Sequence, residues 1–171
     1  MVADGVLDRN VTLRAGGDIS FDDSSLAQGL LDAEADSAEV EGDDGQGDVQ
    51  TSLIETLGGS VLLTGENLTL GQITTDGGNV SLTGGGVGLG GGISTAAGSL
   101  TITADTLAVV TLPPGSISGT GALTIQPRDP LQSIGLGAAV TAGLDLPQAT
   151  LDLFANGFDS MTFGRADKRR R

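Results

Sequence analysis

The sequence predicts an all-β fold, a single-stranded right-handed parallel β-helix (β-solenoid) with coils of about 20 residues. Two observations carry this: an internal repeat of near-constant length, and strands that alternate apolar and small polar residues. Four segments open on a small-residue turn and run into such a strand: GGSVLLTG at 58–65, GGNVSLTG at 77–84, AGSLTITA at 97–104 and GTGALTIQ at 119–126. Their starts lie 19, 20 and 22 residues apart, and an earlier copy reads RNVTLRAGG at 9–17. Each places apolar residues at i and i+2: Val61 and Leu63, Val80 and Leu82, Leu100 and Ile102, Leu123 and Ile125. A period of two with one apolar face is the mark of a half-buried strand.

Further short strands complete each repeat. NLTL (67–70) and QITT (72–75) follow the first, VGLG (87–90) and ISTA (93–96) the second, and TLAVVTL (106–112) and SIS (116–118) the third. Three strands between Gly-rich corners make one coil. The chain length then predicts about eight coils in a rod on the order of 40 Å long. Two stretches break the rhythm. Residues 32–48 hold eight acids and no base; LLDAEADSAEVEG can carry a strand with alternating acids, while DDGQGD reads as an exposed loop. PQATLDLF (147–154) has proline near a first helical turn and apolar spacing at Leu151 and Phe154, so it predicts a short helix. The chain therefore divides into N-terminal coils (1–57) with an acidic loop (32–48), regular coils (58–143), an aromatic-bearing segment (144–167) and a basic tail (168–171).

Composition agrees with a thin core repeated layer upon layer. The 171 residues include 29 glycines and four phenylalanines, with no Trp, Tyr, Cys or His. A single deep core would use bulkier side chains. The formal charge is −14. Residues 1–164 set three arginines against 21 acids, a net of −18, whereas the last seven residues hold Arg165, Lys168, Arg169, Arg170 and Arg171 against Asp167 alone. An acidic body repels phosphates, so nucleic acid is not an expected partner, nor is an anionic membrane. The longest apolar run, from Leu107 to Val110, is far short of the ~20 residues that span a bilayer. MVADGVLDRN shows no signal peptide, so any export signal is expected outside this sequence.

Residues 74–106 (TTDGGNVSLTGGGVGLGGGISTAAGSLTITADT) resemble the passenger repeats of filamentous-haemagglutinin-like adhesins and related large bacterial exoproteins. GTGALTIQP (119–127), SIGLG (133–137) and NGFDSMTFGRAD (156–167) resemble a recurring segment of very large repeat proteins in that group, and the last two carry the more specific signal. The resemblance covers roughly residues 58–167. It implies a right-handed β-helix stalk at the cell surface or in the medium, acting in adhesion or biofilm formation. Host or matrix glycans and proteins would then be partners of the parent protein. The secretion domain of such exoproteins is missing, and KRRR stands where further repeats would follow, which predicts a truncated or split reading frame or a fragment.

Catalysis finds little to work with. No histidine exists to activate a nucleophile, and the single lysine, Lys168, lies in the tail. Glycoside chemistry needs only paired carboxylates, so polysaccharide binding or degradation is the enzymatic alternative, with Asp76, Asp105 and Asp129 as candidate acids. The bland reading makes these turn aspartates that accept from nearby backbone N–H groups, and no catalytic residue is assigned. A G-x-G-x-x-G match at Gly86, Gly88 and Gly91 is followed by a strand, not by the helix a dinucleotide site requires. Absence of cysteine removes every thiolate metal site. EGDDGQGDVQ (41–50) resembles a calcium loop without its tandem repeat, which leaves Asp43, Asp44 and Asp48 as weak Ca²⁺ candidates in an extracellular module. No other cofactor is expected.

Sequons at Asn10, Asn67 and Asn79 are read as products of the repeat, with Asn at a corner and Thr or Ser facing outward. The outward threonine pairs, Thr101 with Thr103 and Thr74 with Thr75, are not expected to align between coils, so no ice-binding face is predicted. Exposed coil ends are open sheet edges, which predicts end-to-end self-association.

Overall fold

The computed structural model describes residues 10–26, 29–35, 47–137 and 143–165. The chain is a parallel β-solenoid of about five turns spaced about 20 residues apart, 55% strand with one short helix. The first coil holds β1 (Val11–Ala15) and β2 (Ile19–Leu26), the second β3 (Leu31–Ala35) and β4 (Val49–Thr56). The third holds β5 (Val61–Thr64) and β6 (Asn67–Thr75), the fourth β7 (Val80–Leu89) and β8 (Ile93–Ser94), the fifth β9 (Leu100–Val109) and β10 (Ile117–Ser118). A last, looser coil opens with β11 (Ala122–Gln126) and continues through β12 (Ile134–Leu136), β13 (Leu144–Leu146) and α1 (Gln148–Leu151). Finally β14 (Ser160–Phe163) lies on β11.

These strands form three faces. The first stacks β1, β3, β5, the opening half of β7, the opening half of β9, β11 and β14, all parallel. The second stacks the opening halves of β2, β4 and β6 beneath the closing halves of β7 and β9. The third stacks the closing halves of β2, β4 and β6, then β8 and β10, and ends in a bridge from Ile117 to Phe154.

Alternation along each strand sends one set of side chains into the lumen, and the register stacks like on like. Val61, Val80, Leu100 and Leu123 form one inward column, and Leu63, Leu82, Ile102 and Ile125 the next. Each is buried. The third face contributes Ile54, Ile73, Ile93 and Ile117, closed off by Phe154. Removing such a Leu or Ile from water is worth about 1.5–3 kcal/mol, so the repeated thin core supplies the stability that aromatics supply elsewhere.

The third corner, where one coil passes to the next, is built by a short recurring pattern. Thr56, Thr75 and Thr95 turn inward, and their hydroxyls donate to the carbonyls of Gly59, Gly78 and Gly98 at 2.5, 2.6 and 2.8 Å. The glycines stack as a column of Gly29, Gly59, Gly78, Gly98 and Gly121. A methyl on any of the last four would overlap the carbonyl oxygen of the glycine one coil below. Gly77, at φ +105°, makes the turn itself in a region that L side chains rarely enter.

Three expectations change against this structure. The eight coils become about five, because two turns run longer than the repeat: Leu31 pairs with Val61, 30 residues on, and Leu123 with Met161, 38 residues on. TLAVVTL stops as strand at Val109, with Val110 68% exposed before the prolines. The threonine pairs do not recur, since Thr101 and Thr103 meet Ser81 and Thr83 in one adjacent coil and Thr124 and Gln126 in the other, but their outward placement changes. Thr103 is buried and accepts from Gln126 Nε2 at 3.0 Å, while Thr75 faces the lumen, not solvent. PQATLDLF does hold a helix, limited to one turn behind Pro147. The ladder also crosses residue 57 without a break, since Leu31 pairs with Val61.

Gly78→Ala is expected to cost about 3 kcal/mol or more, because its methyl meets backbone that cannot swing aside. At roughly 2–4 °C per kcal/mol its melting temperature falls on the order of 10 °C, whereas Gly17→Ala, with open space around its Cβ, leaves the melt unchanged within error. Thr51 gives the opposite sign. Its hydroxyl is buried with no hydrogen-bond partner, in a column shared with Leu70. Thr51→Val is expected to stabilise by about 1 kcal/mol and Thr75→Val, which deletes a made bond, to destabilise by about as much; paired denaturant titrations read both.

Candidate functional site

The polar chemistry of the molecule lies at the corners, so these are where a site is sought. The corner between the first and second faces is tight in the third coil, where two residues separate β5 from β6, and β7 and β9 pass it without a break. Just before the second face a ladder of polar side chains ties coil to coil. Asp18 Oδ1 accepts from the Asp48 N–H at 3.0 Å, and Asp48 Oδ1 accepts from the Asn67 N–H at 3.1 Å and from Asn67 Nδ2 at 2.9 Å. A second ladder stands just before the first face. There Asn10 Oδ1 accepts from the Leu30 N–H, Ser60 Oγ from Asn79, Asn79 Oδ1 from Ser99 and Ser99 Oγ from Ala122. A corner residue thus satisfies a backbone donor that the ladder of the adjacent coil leaves over. The sequon asparagines Asn10 and Asn79 are engaged in this way, while the third, Asn67, donates from Nδ2 to the Asp48 carboxylate.

Asp48, one of the three Ca²⁺ candidates, is therefore a corner cap held by two donors. Asp43 and Asp44 lie outside the described residues. Among the described residues no group of three acidic, His or Cys side chains is gathered to hold a metal ion. Of the three candidate acids, Asp105 and Asp129 come together and Asp76 does not. Asp105 Oδ1 accepts from the Asp129 N–H at 2.9 Å, and Asp129 Oδ1 accepts from Leu131 N–H at 2.8 Å, a side-chain turn of two residues. Asp76 sits exposed on the third corner, its N–H donating to the Thr56 carbonyl. Gly86 and Gly88 lie in β7 and Gly91 on the bend before β8, so a strand stands where a dinucleotide site needs a helix.

Two surface depressions accompany the last coil. One of about 300 Å³ lies among Pro127, Gln132, Ile134, Phe163 and Arg165; the other, about 460 Å³, is lined by Leu107, Val109, Leu112, Pro147 and Leu153. Neither lining contains a carboxylate. Arg165 is occupied as a clamp, donating from Nε to the Pro127 carbonyl at 3.0 Å and from Nη2 to that of Arg128 at 2.8 Å.

Sequence reasoning missed two ties. The threonine caps were signalled by T-x-x-G recurring at 56–59, 75–78 and 95–98. The other had no local signal: Glu66 in the third coil reaches Arg128 in the last, at 2.6 Å, across a separation of 62 residues. Its carboxylate passes over Gly85, where a methyl would press on Glu66 Oε1. At the opposite end Arg14 bridges Asp32 at 2.7 Å and Glu34 at 3.0 Å in the next coil. No helix among the described residues is long and apolar enough to cross a membrane. Compared with known proteins, the chain matches no family model, no curated protein and no solved structure.

Asp48→Ala removes the acceptor of two bonds and is expected to lower stability by about 1–2 kcal/mol, read as a drop in melting temperature. The same melts with millimolar Ca²⁺ separate capping from metal binding. A rise in wild type that the substitution abolishes would assign the acidic loop to a cation.

Proposed function

We propose that the chain is a structural stalk segment of a secreted or cell-surface bacterial adhesin, a stiff spacer with no chemistry of its own. The observation that supports this most is how the polar side chains are spent. Asp18, Asp48, Asn10, Asn79, Ser99, Asp105 and the corner threonines each make a coil-to-coil or corner bond. A binding or catalytic site leaves such groups converging on a cleft; here they serve stacking. The resemblance of residues 58–167 to adhesin passenger repeats points the same way and supplies the surface location. Adhesion to a host or matrix glycan or protein would then fall to other parts of the parent molecule.

Polysaccharide binding or degradation is the second reading, kept because Asp105 and Asp129 are brought together at one corner. Antibodies raised against the chain are expected to label intact cells of the source organism or to find it in the medium. Labelling only after lysis would sink the stalk reading. Incubation with pectin-like polymers is expected to release no reducing ends, and release abolished by Asp105→Asn would establish the enzymatic one.

A further inference from the structure

We propose that the last coil of one molecule receives the first coil of a second copy, so that the chain stacks head to tail into a longer continuous solenoid. This rests on the fold and its charge and is independent of the surface location proposed above.

The inward columns of the first face show where the stacking is incomplete. Val11, Leu31, Val61, Val80, Leu100, Leu123 and Met161 share one column. Its inner members are no more than 1% exposed, yet Met161 is 41% exposed and Val11 is only half-buried. Leu13 and Phe163, the end members of the neighbouring column, are likewise only partly buried. A lumen position is thus open at each end of a core that is closed between them.

The two ends are complementary. Parallel strands extend a sheet only in the same direction, so β1 of an incoming copy continues the stack on β14 when the two axes point the same way. Met161 then faces Val11, and Phe163 faces Leu13. Ser160 takes the corner position of Asn10, Ser60, Asn79 and Ser99, as its pairing with Ala122 shows. Its hydroxyl is placed to accept from the next coil as theirs do. Natural edge strands are blunted by charge or proline, and SMTF, the sequence of β14, has neither.

Charge selects the partner end. Residues 1–48 carry 13 acids against Arg9 and Arg14, a net of −11, whereas residues 122–171 carry six bases against five acids, a net of +1. Two N-terminal ends bring strongly acidic segments together and repel, whereas the near-neutral C-terminal segment does not oppose the approach of an N-terminal one. A heterologous contact of this kind does not close on itself, so it propagates.

Sedimentation velocity of the 171-residue chain is expected to give species that lengthen with concentration. Met161→Lys spoils the receiving end and Leu13→Lys the entering end. Each alone is expected to remain a monomer with an unchanged β circular dichroism spectrum. Their equimolar mixture is expected to double in mass and stop, since each supplies one intact end. Should Leu13→Lys lose its β spectrum, Val11→Lys takes its place. Wild type that stays monomeric throughout, Met161→Lys that elongates like wild type, or a mixture of folded variants that stays monomeric would each overturn the proposal.

Discussion

Everything in this fold depends on two backbones coming within strand spacing at every corner, coil after coil. Strands on a face reach that spacing through their hydrogen bonds. Corners have no ladder to draw them together and must simply avoid keeping the coils apart. The glycine column from Gly29 to Gly121 does this at the third corner, where the space of each missing Cβ is already filled by a carbonyl oxygen. Gly71, whose methyl would overlap the Ser52 carbonyl, does the same at the bend within β6. The abundance of glycine is therefore a packing requirement more than a sign of flexibility, and only some positions, such as Gly77, need it for φ.

Given that approach, the remaining polar groups have definite work. A coil stacked at strand distance leaves corner N–H and C=O groups that cannot all find ladder partners. Asparagine, aspartate, serine and threonine reach across the same short gap and satisfy them. Three kinds of tie result: side-chain acceptors before the second face, and, sharing one corner before the first face, side-chain acceptors and the threonine donors to the glycine column. Ion pairs add to these: Arg14 ties the first coil to the next, and Glu66 ties the third coil to the last. The pair at Glu66 depends on Gly85 lying flat beneath it, so one corner glycine serves an interaction that belongs to neither of its neighbours in the chain.

Much of the fold was legible because a solenoid writes its geometry into sequence spacing. The inward pairs Val61/Leu63, Val80/Leu82, Leu100/Ile102 and Leu123/Ile125 follow from alternation and from the 19–22-residue repeat, and each is buried. The coil count was less legible, because a corner can absorb any number of residues without leaving a periodic trace. At the corners, turn aspartates were anticipated in kind at Asp105 and Asp129; Asp129 accepts locally from Leu131, but the donor to Asp105 lies 24 residues on, in the next coil. The Glu66–Arg128 pair, between residues 62 apart, had no local pattern to reveal it.

The number of residues between the first and second faces differs from coil to coil, and this has an evolutionary side. Lengthening a loop costs little, about 0.6 kcal/mol for each doubling, while a single methyl in the glycine column costs far more. Substitution and insertion thus meet very different resistance around one circumference. The step from the first to the second face, two residues after β5 and 13 after β3, is free to diversify, and the corner of the glycine column is held to glycine. A lineage of such proteins would change along one longitudinal stripe of the rod and stay nearly constant along another, presenting new surface without renegotiating the fold.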